Sequence, residues 1–118
     1  MTRLWNLPPE VLCQDHLLGE HKEMHQEAGT LVNHPHGEAV VDGHAEKGQV
    51  KLSLLEPRHD ELVVEMKRRG LNHDSPFDYD LSGYDDRGYI DKQANLEDLR
   101  SRCEACAERI AAFGGELL

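Results

Sequence analysis

Apolar positions recur along this chain with a helical period, and the breaks in that period mark its elements. Leu17, Met24, Ala28 and Leu31 fall on one side of a helix. Pro8-Pro9-Glu10 precedes them with a proline and an acid, both of which suit a first helical turn. The pattern predicts a helix from about Pro9 to Ala28, with Gly29 near its end. Residues 33–50 carry Pro35, Gly37, Gly43 and Gly48 among polar neighbours, which is loop composition. Gln49 to Leu55 alternates weakly and fits extended chain or a helical turn. Glu56-Pro57 opens a second predicted helix that ends near Arg69, with Leu62, Val63 and Met66 as its buried side and Gly70 as its C-cap. Residues 72–91 form a second loop in which Asp74, Asp78, Asp80, Asp85 and Asp86 meet no cation before Arg87. Leu96, Leu99, Cys103, Cys106, Ile110 and Phe113 then step by three and four without a break, predicting a third helix stopped by Gly114-Gly115. The expected fold is all-α: a compact three-helix single domain over residues 1–118 with two long loops, and long loops often carry function.

Composition adds limits. A chain of 118 residues fits one domain with one core. No run approaches a membrane span, and Met1-Thr2-Arg3-Leu4-Trp5 lacks the apolar stretch of a secretory signal, so a cytoplasmic protein with no membrane partner is expected, and a monomer is expected separately. Three cysteines, an odd number, fit a reducing compartment better than a disulfide framework. The net charge of −10 argues against non-specific affinity for DNA, where cations must displace counterions from phosphates. Two accounts reconcile a DNA role with that charge: cations gathered on one face, or an acidic surface suited to a high-salt organism.

Five features carry candidate chemistry, each with a plainer alternative. Removal of Met1 would expose the α-amine of Thr2, whose reference pKa of about 7.7–8.0 leaves a neutral, nucleophilic fraction near neutral pH. Arg3 beside it disfavours the ammonium form, and the alternative is an ordinary tail. His16, Glu20, Glu23 and Glu27 share a side of the first helix next to its apolar stripe. Acids at a core margin can be tuned by desolvation, and the alternative is a solvated acidic face. His21 and His25 have a metal-compatible i, i+4 spacing, with His34 and His36 following; surface histidines are the alternative. Cys103-x-x-Cys106 is a weak zinc or redox signal that core packing explains equally well, and Cys13 joins it only if the first and third helices pack together. Lys67-Arg68-Arg69, Arg100, Arg102, Arg109, Arg3 and Lys22 either line a phosphate-binding groove or pair with the abundant acids.

The order of these features resembles the pyrimidine-dimer DNA glycosylase/AP lyase family, the endonuclease V type of phage. The resemblance rests first on Met1-Thr2-Arg3 and Asp15-His16-Leu17-Leu18-Gly19-Glu20-His21-Lys22-Glu23. It continues through Glu61 to Asn72 (ELVVEMKRRGLN) and Arg87-Gly88-Tyr89-Ile90. It implies three helices with the N-terminal segment threaded between them. It also implies a reaction on double-stranded DNA with pyrimidine dimers or abasic sites. The Thr2 amine attacks C1′ and forms an imine, Glu23 is the catalytic carboxylate, and β-elimination cuts the strand, with no cofactor and no metal. Arg3 and Lys22 would contact phosphates, while His16 and Glu20 orient the N-terminus or hold the sugar. Two positions depart from the family pattern. Gln26 stands where a basic DNA contact is expected, and Phe113 to Leu118 takes the place of an aromatic and basic tail. The rival expectations are a non-enzymatic helical protein-interaction domain and a small metal-binding protein using the histidines or cysteines.

Overall fold

The computed structural model describes residues 3–72 and 75–118. Among these the chain forms a 3-10 turn (Pro9–Val11), α1 (Gln14–Asn33), α2 (Gly37–Glu46), a second 3-10 turn (Leu52–Leu54), α3 (Leu55–Arg68), α4 (Lys92–Arg102) and α5 (Glu104–Ala112). The all-α class is as expected, with five helices among the described residues where three were predicted. No helix among them is long and apolar enough to cross a membrane.

The first difference is at α1. Pro8 and Pro9 start only a short 3-10 turn, and the helix proper begins at Gln14 after an extended Cys13 and runs on to Asn33, past Gly29. The second is α2, which falls in the segment read as a loop. Val41 and Ala45, four apart, are buried there. Gly37 serves contact rather than flexibility: a Cβ at this position would collide with the Thr30 carbonyl oxygen and the Leu31 backbone, so its absence lets α2 start tight against α1.

The third difference is the break in the last helix. Cys103 is extended (φ −130°, ψ 106°) and closes α4, its N–H donating to Leu99 O at 3.0 Å. Its Sγ accepts the Cys106 N–H at 3.4 Å and so caps α5. One extended residue leaves the three-and-four spacing of apolar side chains intact, so the periodicity hides the break.

One core joins these elements. Leu17, Met24 and Ala28 of α1, Leu55 and Leu62 of α3, Leu99 of α4 and Cys106 of α5 are all fully buried in it. The N-terminal segment also enters this core, with Leu4, Trp5 and Leu7 buried. Leu4 N–H donates to Gln49 O at 2.8 Å. The buried Asn95 of α4 donates its amide to the carbonyls of Leu4 (3.0 Å) and Trp5 (3.1 Å). Arg58 of α3 reaches Leu7 O at 2.7 Å. Each buried carbonyl here thus has a donor, which is what lets irregular chain run through an apolar interior. The segment is threaded between α3, α4 and the connection after α2. Residues 75–91 remain irregular, and Phe77, Tyr79, Leu81 and Tyr84 pack against the core from that loop.

Candidate active site

The threaded segment and α1 meet at a cavity of about 190 Å³ lined by Arg3, Trp5, His16, Glu20, Glu23 and Arg102, among others. His16, Glu20 and Glu23 share one side of α1, and Arg102 arrives at the end of α4. Larger hollows exist, one of about 610 Å³ beside Gln26 and His44 and one of about 620 Å³ beside Pro57 and Tyr79. Neither is lined by Glu23, and the smaller cavity is selected because it sets Arg3 of the N-terminal segment beside that carboxylate, a pairing that further hollows of about 450 and 350 Å³ along the same segment do not make.

Thr2 lies outside the described residues. Arg3, which follows it, donates its backbone N–H to Glu23 Oε2 at 2.9 Å. Partial burial pushes the Glu23 carboxyl above its ordinary pKa against the pull of that hydrogen bond, and neighbouring Glu20 adds to the rise. The Arg3 side chain turns to Asp98 of α4, which also accepts from Arg102 (Nε to Oδ1 3.1 Å, Nη2 to Oδ2 2.8 Å). Burial alone would raise the Asp98 pKa, but the bonds from Arg3 and Arg102 hold the carboxyl below its usual range. The guanidinium carbons of Arg3 and Arg102 lie 4.8 and 5.8 Å from the centre of the buried Trp5 ring. Two cations thus share one acid and one aromatic ring at the edge of the cavity, whose lining also holds the carboxylates of Asp15, Glu20 and Glu23.

Of the residues singled out from the sequence, Arg3, His16, Glu20 and Glu23 come together in this cavity. Lys22 is exposed on α1 and is not among the described lining residues. Glu20 goes further inward than the margin position read from the helical wheel. Its side chain is fully buried and forms two bonds with Arg58 (Nε to Oε2 2.6 Å, Nη2 to Oε1 2.9 Å). Glu27 is likewise buried and faces His44 Nδ1 at 2.8 Å. Arg68 and Arg69 are occupied by Glu65, and Arg69 also by the Leu12 carbonyl. For these two cations the pairing alternative is what the fold adopts.

Sequence reasoning missed Arg58, Asp98 and Trp5. Arg58 carried a usable signal: Glu20 sits between Leu17 and Met24 at core spacing, and an acid there requires a partner from another element.

Two groups of metal-ligating side chains occur among the described residues. Cys13 and His16 at the start of α1 meet Cys103 and Cys106 at the start of α5, with ligand atoms all within 4.8 Å of one another. His21, His25 and His59 form the other, with ring centres 4.8–4.9 Å apart.

No curated protein and no solved structure matches the chain. A family model does: it is described as pyrimidine dimer DNA glycosylase and matches residues 2–79, about two thirds of the 118 positions. The matched stretch contains the N-terminal segment, all of α1 and all of α3, and so the elements that set Glu23 against the Arg3 backbone. The chain belongs to the pyrimidine dimer DNA glycosylase family.

Proposed function

We propose that this member removes the damaged base and cuts the strand at the resulting abasic site, with the α-amine of Thr2 as nucleophile and Glu23 as its acid–base partner. The observation that carries the reading is the 2.9 Å hydrogen bond from the Arg3 N–H to Glu23 Oε2, because the donating nitrogen belongs to the Thr2–Arg3 peptide. The neutral amine forms a bond to C1′ of the damaged nucleotide, and the base leaves with the electron pair of its glycosidic bond. Glu23 takes a proton from the C1′-bound amine and passes it to O4′ as the C1′–O4′ bond breaks, which opens the sugar to a protonated imine whose positive charge the carboxylate then stabilises. Removal of a C2′ proton then expels the 3′ phosphate by β-elimination. A carboxyl whose pKa is raised by burial suits such proton transfers, because both of its forms are accessible nearer to neutral pH. Arg3 and Arg102 offer positive charge to the phosphates beside the lesion, and exposed Lys22 extends that charge along α1. His16 and Glu20 act as supports of the cavity wall, Glu20 through Arg58. The substrate is double-stranded DNA bearing pyrimidine dimers or abasic sites, taken up by the monomer without a cofactor.

The test is borohydride trapping on a duplex with one abasic site, at low and high salt. A covalent link mapped to Thr2 is expected. Protein that retains Met1 should give no link, and Glu23→Gln should bind the duplex yet fail to cut it. Full strand cleavage by Glu23→Gln, or trapping through a lysine, would overturn the assignment.

A further inference from the structure

We infer that Cys13, His16, Cys103 and Cys106 form a structural zinc site that staples the start of α1 to the start of α5. The chemistry of the glycosylase reading neither needs this site nor supplies it. The four residues come from two C-x-x-C/H turns lying about 90 positions apart, so only folding brings them together.

The geometry is that of a single tetrahedral ion. Zinc–sulfur bonds of about 2.3 Å and a zinc–nitrogen bond of about 2.0–2.1 Å place tetrahedral ligands roughly 3.8 Å apart for a sulfur pair and roughly 3.6 Å apart for sulfur and nitrogen. Here Cys13 Sγ is 3.9 Å from Cys103 Sγ, and His16 Nδ1 is 3.2 Å from Cys13 Sγ and 3.5 Å from Cys106 Sγ. All four donor atoms fall within 4.8 Å of one another, so the widest pairs need to close by no more than about 1 Å to surround one ion. Three soft sulfurs and one imidazole nitrogen are a donor set that zinc favours.

The backbone also directs donors at the sulfurs. The Cys13 N–H points at Cys106 Sγ (3.2 Å) and the Cys106 N–H at Cys103 Sγ (3.4 Å). Backbone amides therefore stabilise negative charge on two of the three sulfurs and orient them. Both turns lead into helix N-termini, whose dipoles act in the same sense. On binding, three thiols release their protons to solvent and His16 coordinates as the neutral ring, leaving one net negative charge on the centre.

His16 connects the site to the cavity. It lines the same pocket as Glu23 and packs edge-on against Trp5 with ring centres 5.8 Å apart. Coordination through Nδ1 leaves the proton on Nε2, which fixes the tautomer and makes that atom a donor. The ion would thus hold one wall of the cavity in place while standing outside the reacting groups.

The test is metal analysis of the full chain purified without chelator, followed by removal of the metal and titration of the apoprotein with Co²⁺. About one zinc per chain is expected, with cobalt giving the intense visible bands of tetrahedral thiolate coordination. His16→Cys should retain the metal as a four-cysteine site, whereas Cys103→Ser/Cys106→Ser should lose it. Zinc retained by that double variant would place the ion elsewhere, at His21, His25 and His59, and overturn the inference. Stoichiometric iron, or a Cys13–Cys103 disulfide in place of a metal, would also overturn it. Should the double variant fail to fold, absence of the tetrahedral cobalt spectrum in the wild-type chain would refute the site by itself.

Discussion

Replacing Arg58 by Met is the sharpest test of how this site is held. The methionine keeps most of the stem and removes the guanidinium, which joins Glu20, Glu61 and the Leu7 carbonyl. Arg58 and Glu20 expose 2% and 0% of their side chains, so water cannot take over from the guanidinium at Glu20, whereas the half-exposed Glu61 can turn to solvent. An uncompensated buried charge of this kind costs about 3–5 kcal/mol. Unfolding a chain of this length changes entropy by about 0.25 kcal/mol/K, so the melting temperature should fall by about 12–20 °C. Against a total stability of about 5–15 kcal/mol, the variant would be marginal. Urea unfolding followed by fluorescence of Trp5, the single tryptophan, reads the loss directly. The control is Glu20→Leu with Arg58→Met, which removes both charges and should regain most of the loss, since an apolar pair of similar volume is often as stable as a buried ion pair. A loss below about 1 kcal/mol for the single variant, or simple additivity in the double-mutant cycle, would refute the reasoning.

Other expectations follow from single observations. Because the folded-state pKa of Glu23 is raised, the carboxyl gains its proton as pH falls through a value above the ordinary glutamate range. Strand cleavage should therefore lose its acid limb at that higher pH, and a pH–rate profile checks this. The same shift means that ionised Glu23 destabilises the fold above that pKa. Glu23→Gln should thus melt higher than wild type at neutral pH, with the difference vanishing below the ordinary carboxylate range. Glu65 shows the opposite sign: burial opposes ionisation, yet bonds from Arg68 and Arg69 hold its pKa low. Its stabilisation is present at neutral pH and lost as pH falls through that lowered value, so Glu65→Gln should cost about 1–3 kcal/mol at pH 7 and less in acid, read by urea unfolding at each pH. Gly88 has φ +92° and pairs with Lys51; a Cβ there would strike the Val50 carbonyl oxygen and lie 3.0 Å from Ala45 Cβ. Gly88→Ala should lower stability by about 2 kcal/mol or more, and an unchanged melting temperature would mean the bridge to Lys51 is dispensable.

The sequence by itself determined the helical class, the span of α3 and the placing of His16, Glu20 and Glu23 on one side of α1, because these depend on local period and spacing. It also set the order of motifs that the family shares. Tertiary structure decided the rest. Gly37 and Gly43 look like loop residues until the close approach of α1 and α2 makes the lack of a side chain at Gly37 an advantage. The break at Cys103 is silent in the periodicity, and its capping role appears only once Cys106 turns back onto its sulfur. Whether Glu20 faces water or the core depended on Arg58, 38 positions away. Likewise, the two cysteine and histidine turns gained a common centre only when α5 packed against the 3-10 turn that leads into α1. In each case the deciding partner is distant in sequence, and a local pattern carries no record of what a side chain will meet across the fold.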